Sequence, residues 1–215
     1  YDTQTNDAMF NYEVTLTNPN FVLTSDTLLY NTKTQVATIV GPSDIRSNRN
    51  HIYSTLGRYF TATDQAHLLN RSVLTNDDKR LIGDSIYYDR ISGFGEAFDR
   101  VEMDDFGGKT RLTGDYIYYN ELADSAYATR RAIAIDYSQG DSMFIHGDTL
   151  RLLTRFPDTD SVYRIVQAYR KVRIYRDDVQ AVCDSLEFNS LDSCMTMYFD
   201  PVIWNGPQQV LGEVV

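Results

Sequence analysis

Cysteine is almost absent from this chain: Cys183 and Cys194 are the only two in 215 residues. That excludes a four-cysteine zinc site and a disulfide-stapled scaffold. With Asn189 to Ser193 as a hairpin turn, Phe188 would face Ser193 and Cys183 would face Tyr198, so both thiols are expected free and half-buried. Histidine is as sparse: His51, His67 and His146 lack an i, i+4 pair or a ligand cluster, and neither a metal site nor any cofactor is expected. Positive charge is in deficit, with 20 Lys and Arg against 30 Asp and Glu, which argues against nucleic acid as a partner. No apolar run approaches the roughly 18 residues of a membrane-spanning helix, and Tyr1-Asp2-Thr3 has neither a basic nor an apolar leader character. The expectation is a soluble segment from which any signal peptide is missing.

Signatures of catalysis are missing too. There is no Gly-x-Ser-x-Gly elbow and no Cys–His pairing. Gly93-Phe94-Gly95 and Gly107-Gly108 lack the following helix and lysine of a phosphate loop and read as turns. Asn70-Arg71-Ser72 matches a glycosylation sequon of a length that chance supplies often. The chain is not expected to be an enzyme. Only five prolines occur, one of them in an expected hairpin loop at Phe156-Pro157-Asp158, so no Pro-rich linker divides the chain. One elongated domain over residues 1–215 is expected.

What the sequence has in quantity is tyrosine, 16 residues against a single Trp, a bias toward amphipathic rings on half-buried strands. Many sit in a repeat. Ser25-Asp26-Thr27-Leu28-Leu29-Tyr30-Asn31, Gly83-Asp84-Ser85-Ile86-Tyr87-Tyr88-Asp89, Gly114-Asp115-Tyr116-Ile117-Tyr118-Tyr119-Asn120, Gly147-Asp148-Thr149-Leu150-Arg151-Leu152 and Cys183-Asp184-Ser185-Leu186-Glu187-Phe188-Asn189 share the form Asp-x-Φ-x-Φ, with Φ apolar or aromatic. A degenerate sixth copy ends at Tyr59. Markers at 30, 59, 88, 119, 152 and 188 lie 29, 29, 31, 33 and 36 residues apart, the pattern of stacked units with tolerated loop insertions.

Within each unit Asp and both Φ positions are expected to share one strand face, with Thr27, Ser85, Thr149 and Ser185 on the other. Asp is expected at a strand start, accepting turn hydrogen bonds; the following Asn or Asp opens a turn, and two or three short strands make up a unit. Over Val162 to Val182 a helical stripe (Ile165, Val166, Tyr169, Val172) competes with strand, and the alternation Val172-Arg173-Ile174-Tyr175 favours strand. Such units cannot bury a face alone. A repeat-built antiparallel β-jellyroll, a folded sheet with little or no helix, is favoured over a parallel solenoid because the turns are hairpin-like. Its inward ladder would be Leu28, Tyr30, Ile86, Tyr88, Ile117, Tyr119, Leu150, Leu152, Leu186 and Phe188, either a closed core or the wall of a lipid groove.

These units, with Gly95-Glu96-Ala97-Phe98-Asp99-Arg100-Val101-Glu102-Met103, Ala168-Tyr169-Arg170-Lys171-Val172-Arg173-Ile174-Tyr175 and the ending Phe199-Asp200-Pro201-Val202-Ile203-Trp204, resemble the OstA-like family, the LptA and LptD periplasmic domains of lipopolysaccharide export. The resemblance implies a V-shaped β-jellyroll in the periplasm, possible attachment to the outer membrane, lipid A acyl chains as cargo, and end-to-end strand addition with like domains or with itself. It implies no catalysis. Arg130, Arg131, Arg170, Lys171 and Arg173 are candidate phosphate contacts, or else solvated charges that protect edge strands. The alternative is a structural or adhesive β-repeat of the envelope without lipid cargo. A carbohydrate-active solenoid would need converging carboxylates, which evenly spaced Asp residues do not provide.

Overall fold

The computed structural model describes residues 1–48, 50–138, 140–155 and 162–215; the expected loop at Phe156-Pro157-Asp158 lies outside the described residues. Fifteen strands follow in order: β1 (Asp7–Asn18), β2 (Phe21–Asn31), β3 (Val36–Arg46), β4 (Asn50–Phe60), β5 (Gln65–Asn76), β6 (Lys79–Asp89), β7 (Phe94–Asp105), β8 (Thr110–Asn120), β9 (Ser125–Asp136), β10 (Met143–Arg155), β11 (Tyr163–Tyr175), β12 (Gln180–Asn189), β13 (Cys194–Tyr198), β14 (Val202–Asn205) and β15 (Gln208–Leu211). No helix occurs among the described residues, and the stretch from Val162 to Val182 holds β11 and the start of β12 joined by a turn at 176–179, strand where its alternation predicts. Sheet order follows chain order through β12, which pairs both β13 and β14; β15 pairs β14. The fold is thus an antiparallel meander. Two compact units are present, Tyr1–Val101 and Glu102–Val215.

A repeat is two long strands and not two or three short ones, because each strand of 10 to 13 residues continues through a corner. The corner is a β-bulge in which two residues oppose one. On the odd-numbered strands the pairs Tyr12-Glu13, Asn70-Arg71, Asp99-Arg100, Arg130-Arg131 and Arg170-Lys171 all have left-handed φ, and Gly41 at φ 92° does this in β3. The register jumps at these points, from Asn11↔Thr27 to Val14↔Ser25 and from Tyr169↔Ser185 to Val172↔Cys183. The last such pair, Phe199-Asp200, separates β13 from β14.

In the five intact units the residue opposite the bulge is the repeated aspartate, and in the degenerate unit on β4 it is Thr55. Asp26 faces positions 12–13 and 41–42, Asp84 faces 70–71, and Asp184 faces 170–171. Asp therefore lies mid-strand and not at a strand start. Nor does it share a face with the Φ residues. A two-residue bulge preserves parity on its own strand, so β9 buries Ala126, Ala128, Ala132 and Ala134. The partner strand spends only one residue at the corner and flips parity: β2 buries Phe21, Leu23 and Ser25, then Leu28.

Non-glycine residues with left-handed φ cost of order 1–3 kcal/mol unless neighbours hold them. At two corners the aspartate does so. Arg100 donates from Nε and Nη2 to Asp84 at 2.9 and 3.0 Å, and Arg131 grips Asp115 through the same two nitrogens. The Asp115 carboxylate holds the Arg131 guanidinium pKa above its ordinary value. Gly114 precedes that aspartate because a Cβ there would lie 3.0 Å from the Thr129 carbonyl oxygen.

The turns match expectation. Asn31 Oδ1 accepts N–H bonds from Lys33 and Thr34, Asp89 Oδ1 from Ile91 and Ser92, Asn120 Oδ1 from Ala123, and Asn189 Oδ1 from Leu191. One register differs: Phe188 faces Met195 and Ser185 faces Tyr198, since the 190–193 loop leaves Ser193 outside the ladder. Both cysteines are free, Cys183 buried and Cys194 exposed.

Candidate functional site

Each corner divides a strand into two arms whose inner faces look at each other. On one arm the first Φ positions form a cross-strand row: Leu28, Ile39, Gly57, Leu68 and Ile86 in the first unit, Ile117, Ala128, Leu150, Ala168 and Leu186 in the second. These side chains are sealed, with Leu28, Ile86, Ile117 and Leu150 at 0% exposure and Leu186 at 2%. In the second unit large residues alternate with Ala, and both rows interdigitate as a packed core.

The row of second Φ positions separates the two units. In the first it reads Ala8, Tyr30, Ala37, Tyr59, Ala66, Tyr88. Tyr59 and Tyr88 are buried and reach across to the opposite arm: the Tyr59 ring packs edge-on to Phe21 at 4.7 Å, and the Tyr88 hydroxyl accepts a 3.0 Å bond from Asn50 Nδ2. Tyr59 also donates to Asp64 at 3.0 Å; burial and that carboxylate push its phenol above the ordinary range. In the second unit the row becomes Tyr119, Ala126, Leu152, Val166, Phe188, Met195. No tyrosine follows Tyr119.

Where the tyrosines cease, a cavity of 810 Å³ lies between the arms of the second unit. Leu152, Val166, Phe188 and Met195 line one wall, and Ala134, Met143 and Ile145 the other. Polar groups gather at the tips of the arms, among them Asp136, Ser138, Ser190, Arg164 and Arg176. Arg164 reaches Asp105 at 3.2 Å, and Arg176 is paired with Asp178, which holds its pKa above the ordinary value. The arrangement is an amphipathic trough suited to an apolar chain with an anionic end. It offers no nucleophile–base pair, and no metal-binding cluster occurs among the described residues.

Of the ten ladder residues, Leu152 and Phe188 line this cavity. Leu28, Ile86, Ile117, Leu150 and Leu186 belong to the sealed row, Tyr88 is buried, and Tyr30 and Tyr119 are half-buried. Arg130, Arg131, Arg170 and Lys171 are corner residues and Arg173 lies on an outer strand face; none lines the cavity. Sequence reasoning missed Val166, Met195, Met143 and Ile145. Their signal was register: Val166 faces Leu152, and Met195 faces Phe188. Arg164 carried no local signal, because its partner Asp105 lies on β7, with three strands between them in sheet order.

Residues 1–84 match the OstA-like protein family. That OstA-like segment runs from β1 to Asp84 in β6, and the same two-against-one corners continue through β12 beyond it. Among solved structures, the chain is similar to LptH, the LptA-homologous periplasmic component of the lipopolysaccharide transport device from Pseudomonas aeruginosa. The likeness is 14% identity with a TM-score of 0.45, covering 56% of this chain and 81% of that one. No curated protein sequence matches this chain.

Proposed function

We propose that this OstA-like chain is a periplasmic lipopolysaccharide-transport module without catalytic activity, carrying lipid A acyl chains in the cavity of its second unit. The observation that carries this is the 810 Å³ apolar space opened where the tyrosine row ends. Each acyl CH₂ buried there is worth about 0.8 kcal/mol, so a dozen hold a chain against dissociation. The family match over residues 1–84 supports the transport context. Groove residues are then Leu152 and Phe188 with Val166 and Met195, and the sealed Ile117, Leu150 and Leu186 of the same unit serve as the packed core that keeps its arms together, as Leu28 and Ile86 do in the first.

A second copy or another β-jellyroll domain of the same kind is the partner expected at β1. Its backbone pairs only β2 in the sheet order, and it exposes Met9 and Tyr12 at 61% and 91%. Corner cations such as Arg130, Arg170 and Lys171 would contact lipid phosphates only from outside the cavity.

A photoreactive amino acid placed at Phe188 or Met195 should form an adduct with lipid A, and one at Leu28 should not. Absence of adducts at all three positions in folded protein favours a structural or adhesive envelope repeat.

A further inference from the structure

The cavity mouth is spanned by an ion pair that sheet pairing does not require. Asp105 ends β7 on one arm and Arg164 begins β11 on the other, with β8, β9 and β10 between them in sheet order. Their 3.2 Å contact therefore joins arms that face each other across the trough. Arg164 is the more exposed partner, with 43% of its side-chain surface open against 14% for Asp105.

Two further features fit this arginine to exchange partners. Asp105 also accepts the Gly108 N–H at 2.6 Å, so its carboxylate keeps a hydrogen bond when Arg164 leaves. Gly108 leaves room for the guanidinium, since a Cβ there would lie 2.7 Å from Arg164 Cζ and Nη1. The backbone of Arg164 is held meanwhile: its N–H donates to Ser190 Oγ at 2.7 Å and its carbonyl accepts the Ser190 N–H at 2.9 Å. Only the side chain needs to move.

We propose that Arg164 is a specificity latch. Closed on Asp105 it ties the two arms across the mouth; when an amphiphile enters, its phosphate or similar anionic head displaces Asp105 and takes the guanidinium while the chain fills the cavity. The inference rests on the lipid-cavity function above and adds the residue that discriminates charged from neutral amphiphiles. A phosphate can engage the planar guanidinium through two nitrogens in place of the 3.2 Å pair with Asp105. An anion thus gains what a neutral head cannot, and a neutral amphiphile must open the latch with no replacement for the broken pair.

The test is displacement of N-phenyl-1-naphthylamine from the full chain by dodecyl phosphate and by dodecyl glucoside, with circular dichroism confirming each variant's fold. The unsubstituted protein should prefer the phosphate by about tenfold or more, the scale of a charge-assisted hydrogen bond. Arg164→Gln should abolish the preference and leave dodecyl glucoside as tight or tighter. Asp105→Asn, which removes the competitor and keeps the cation, should strengthen dodecyl phosphate several-fold. Gly108→Ala, which pushes the guanidinium off Asp105 without changing charge, should strengthen dodecyl glucoside. Equal binding of both amphiphiles by all four proteins overturns the latch and leaves the cavity function standing. Binding of neither by folded protein overturns the cavity function and the latch with it.

Discussion

The first unit closes with Tyr59 against Phe21 and Tyr88 against Asn50; at the corresponding row of the second unit stand Leu152, Val166 and Phe188, and the arms part around a cavity. A second difference lies at the corners. In the first unit they bury serine pairs, Ser43 donating to Ser25 at 2.6 Å and Ser72 to Ser54 at 2.8 Å. In the second the same positions hold Gly114, Ala132, Gly147, Val172 and Cys183. Two halves with one strand plan thus differ in how they fill it. Hydrogen-bonded tyrosines and serines fix one half as a closed sandwich, whereas apolar side chains without a hydroxyl in the other leave a volume that no described residue fills. Side chains along one row, and not topology, separate the closed half from the one that holds a cavity.

The largest effect should come from opening the closed half. Tyr59→Ala removes a buried ring and its bond to Asp64 and should cost about 3–5 kcal/mol in urea unfolding, with hydrogen exchange rising across β2 to β6. Phe188→Ala, on an already open wall, should cost only about 1–2 kcal/mol. Similar losses at both sites would erase the distinction between the halves.

Next is the buried charge of the second unit. Asp104 is 1% exposed and receives Arg111 Nε at 2.6 Å. The hydrogen bond to Asp104 holds the Arg111 guanidinium pKa above its ordinary value. Arg111→Met removes the cation paired with this buried carboxylate and should destabilise by about 2–3 kcal/mol, recovered in part by Asp104→Asn in the same chain. Denaturation followed by Trp204 fluorescence measures both.

Smaller effects sharpen the corner comparison. Ser43→Ala should cost about 1–2 kcal/mol by leaving Ser25 without a donor, and the double change Ser25→Ala with Ser43→Ala should be nearer neutral. The double variant would then resemble the second unit, where Ala132 faces Gly147.

Smallest is a reactivity contrast without a stability cost. Burial, then the Asp184 charge, push the Cys183 thiol up to about 11, so at pH 8 it holds little thiolate. A thiol reagent should label Cys194 fully and Cys183 only after denaturation; prompt labelling of both would mean that the corner beside Val172 is open.

Much of this was legible before any coordinates. The Asp-x-Φ-x-Φ units, their Asn or Asp turns and the alternation Val172-Arg173-Ile174-Tyr175 carry local signals, and the turns form where they predict, although each strand runs on through a corner. The bulges were written in the sequence as well, in pairs such as Arg130-Arg131 that interrupt Ala126, Ala128, Ala132 and Ala134. Without the partner strand, such a pair looks like solvated charge. The cavity was less legible, because all ten ladder residues satisfy one pattern, yet Leu150 is sealed and Leu152, two residues on, lines open space.

The sequence by itself determined an antiparallel β repeat with hairpin turns, since side-chain period and turn chemistry act within a few residues of one another. Only tertiary structure decided which inward residues are core and which are wall, that the aspartates face bulges, and that Arg164 meets Asp105. Those outcomes depend on cross-strand register and on two arms closing over each other, which bring together residues tens of positions apart.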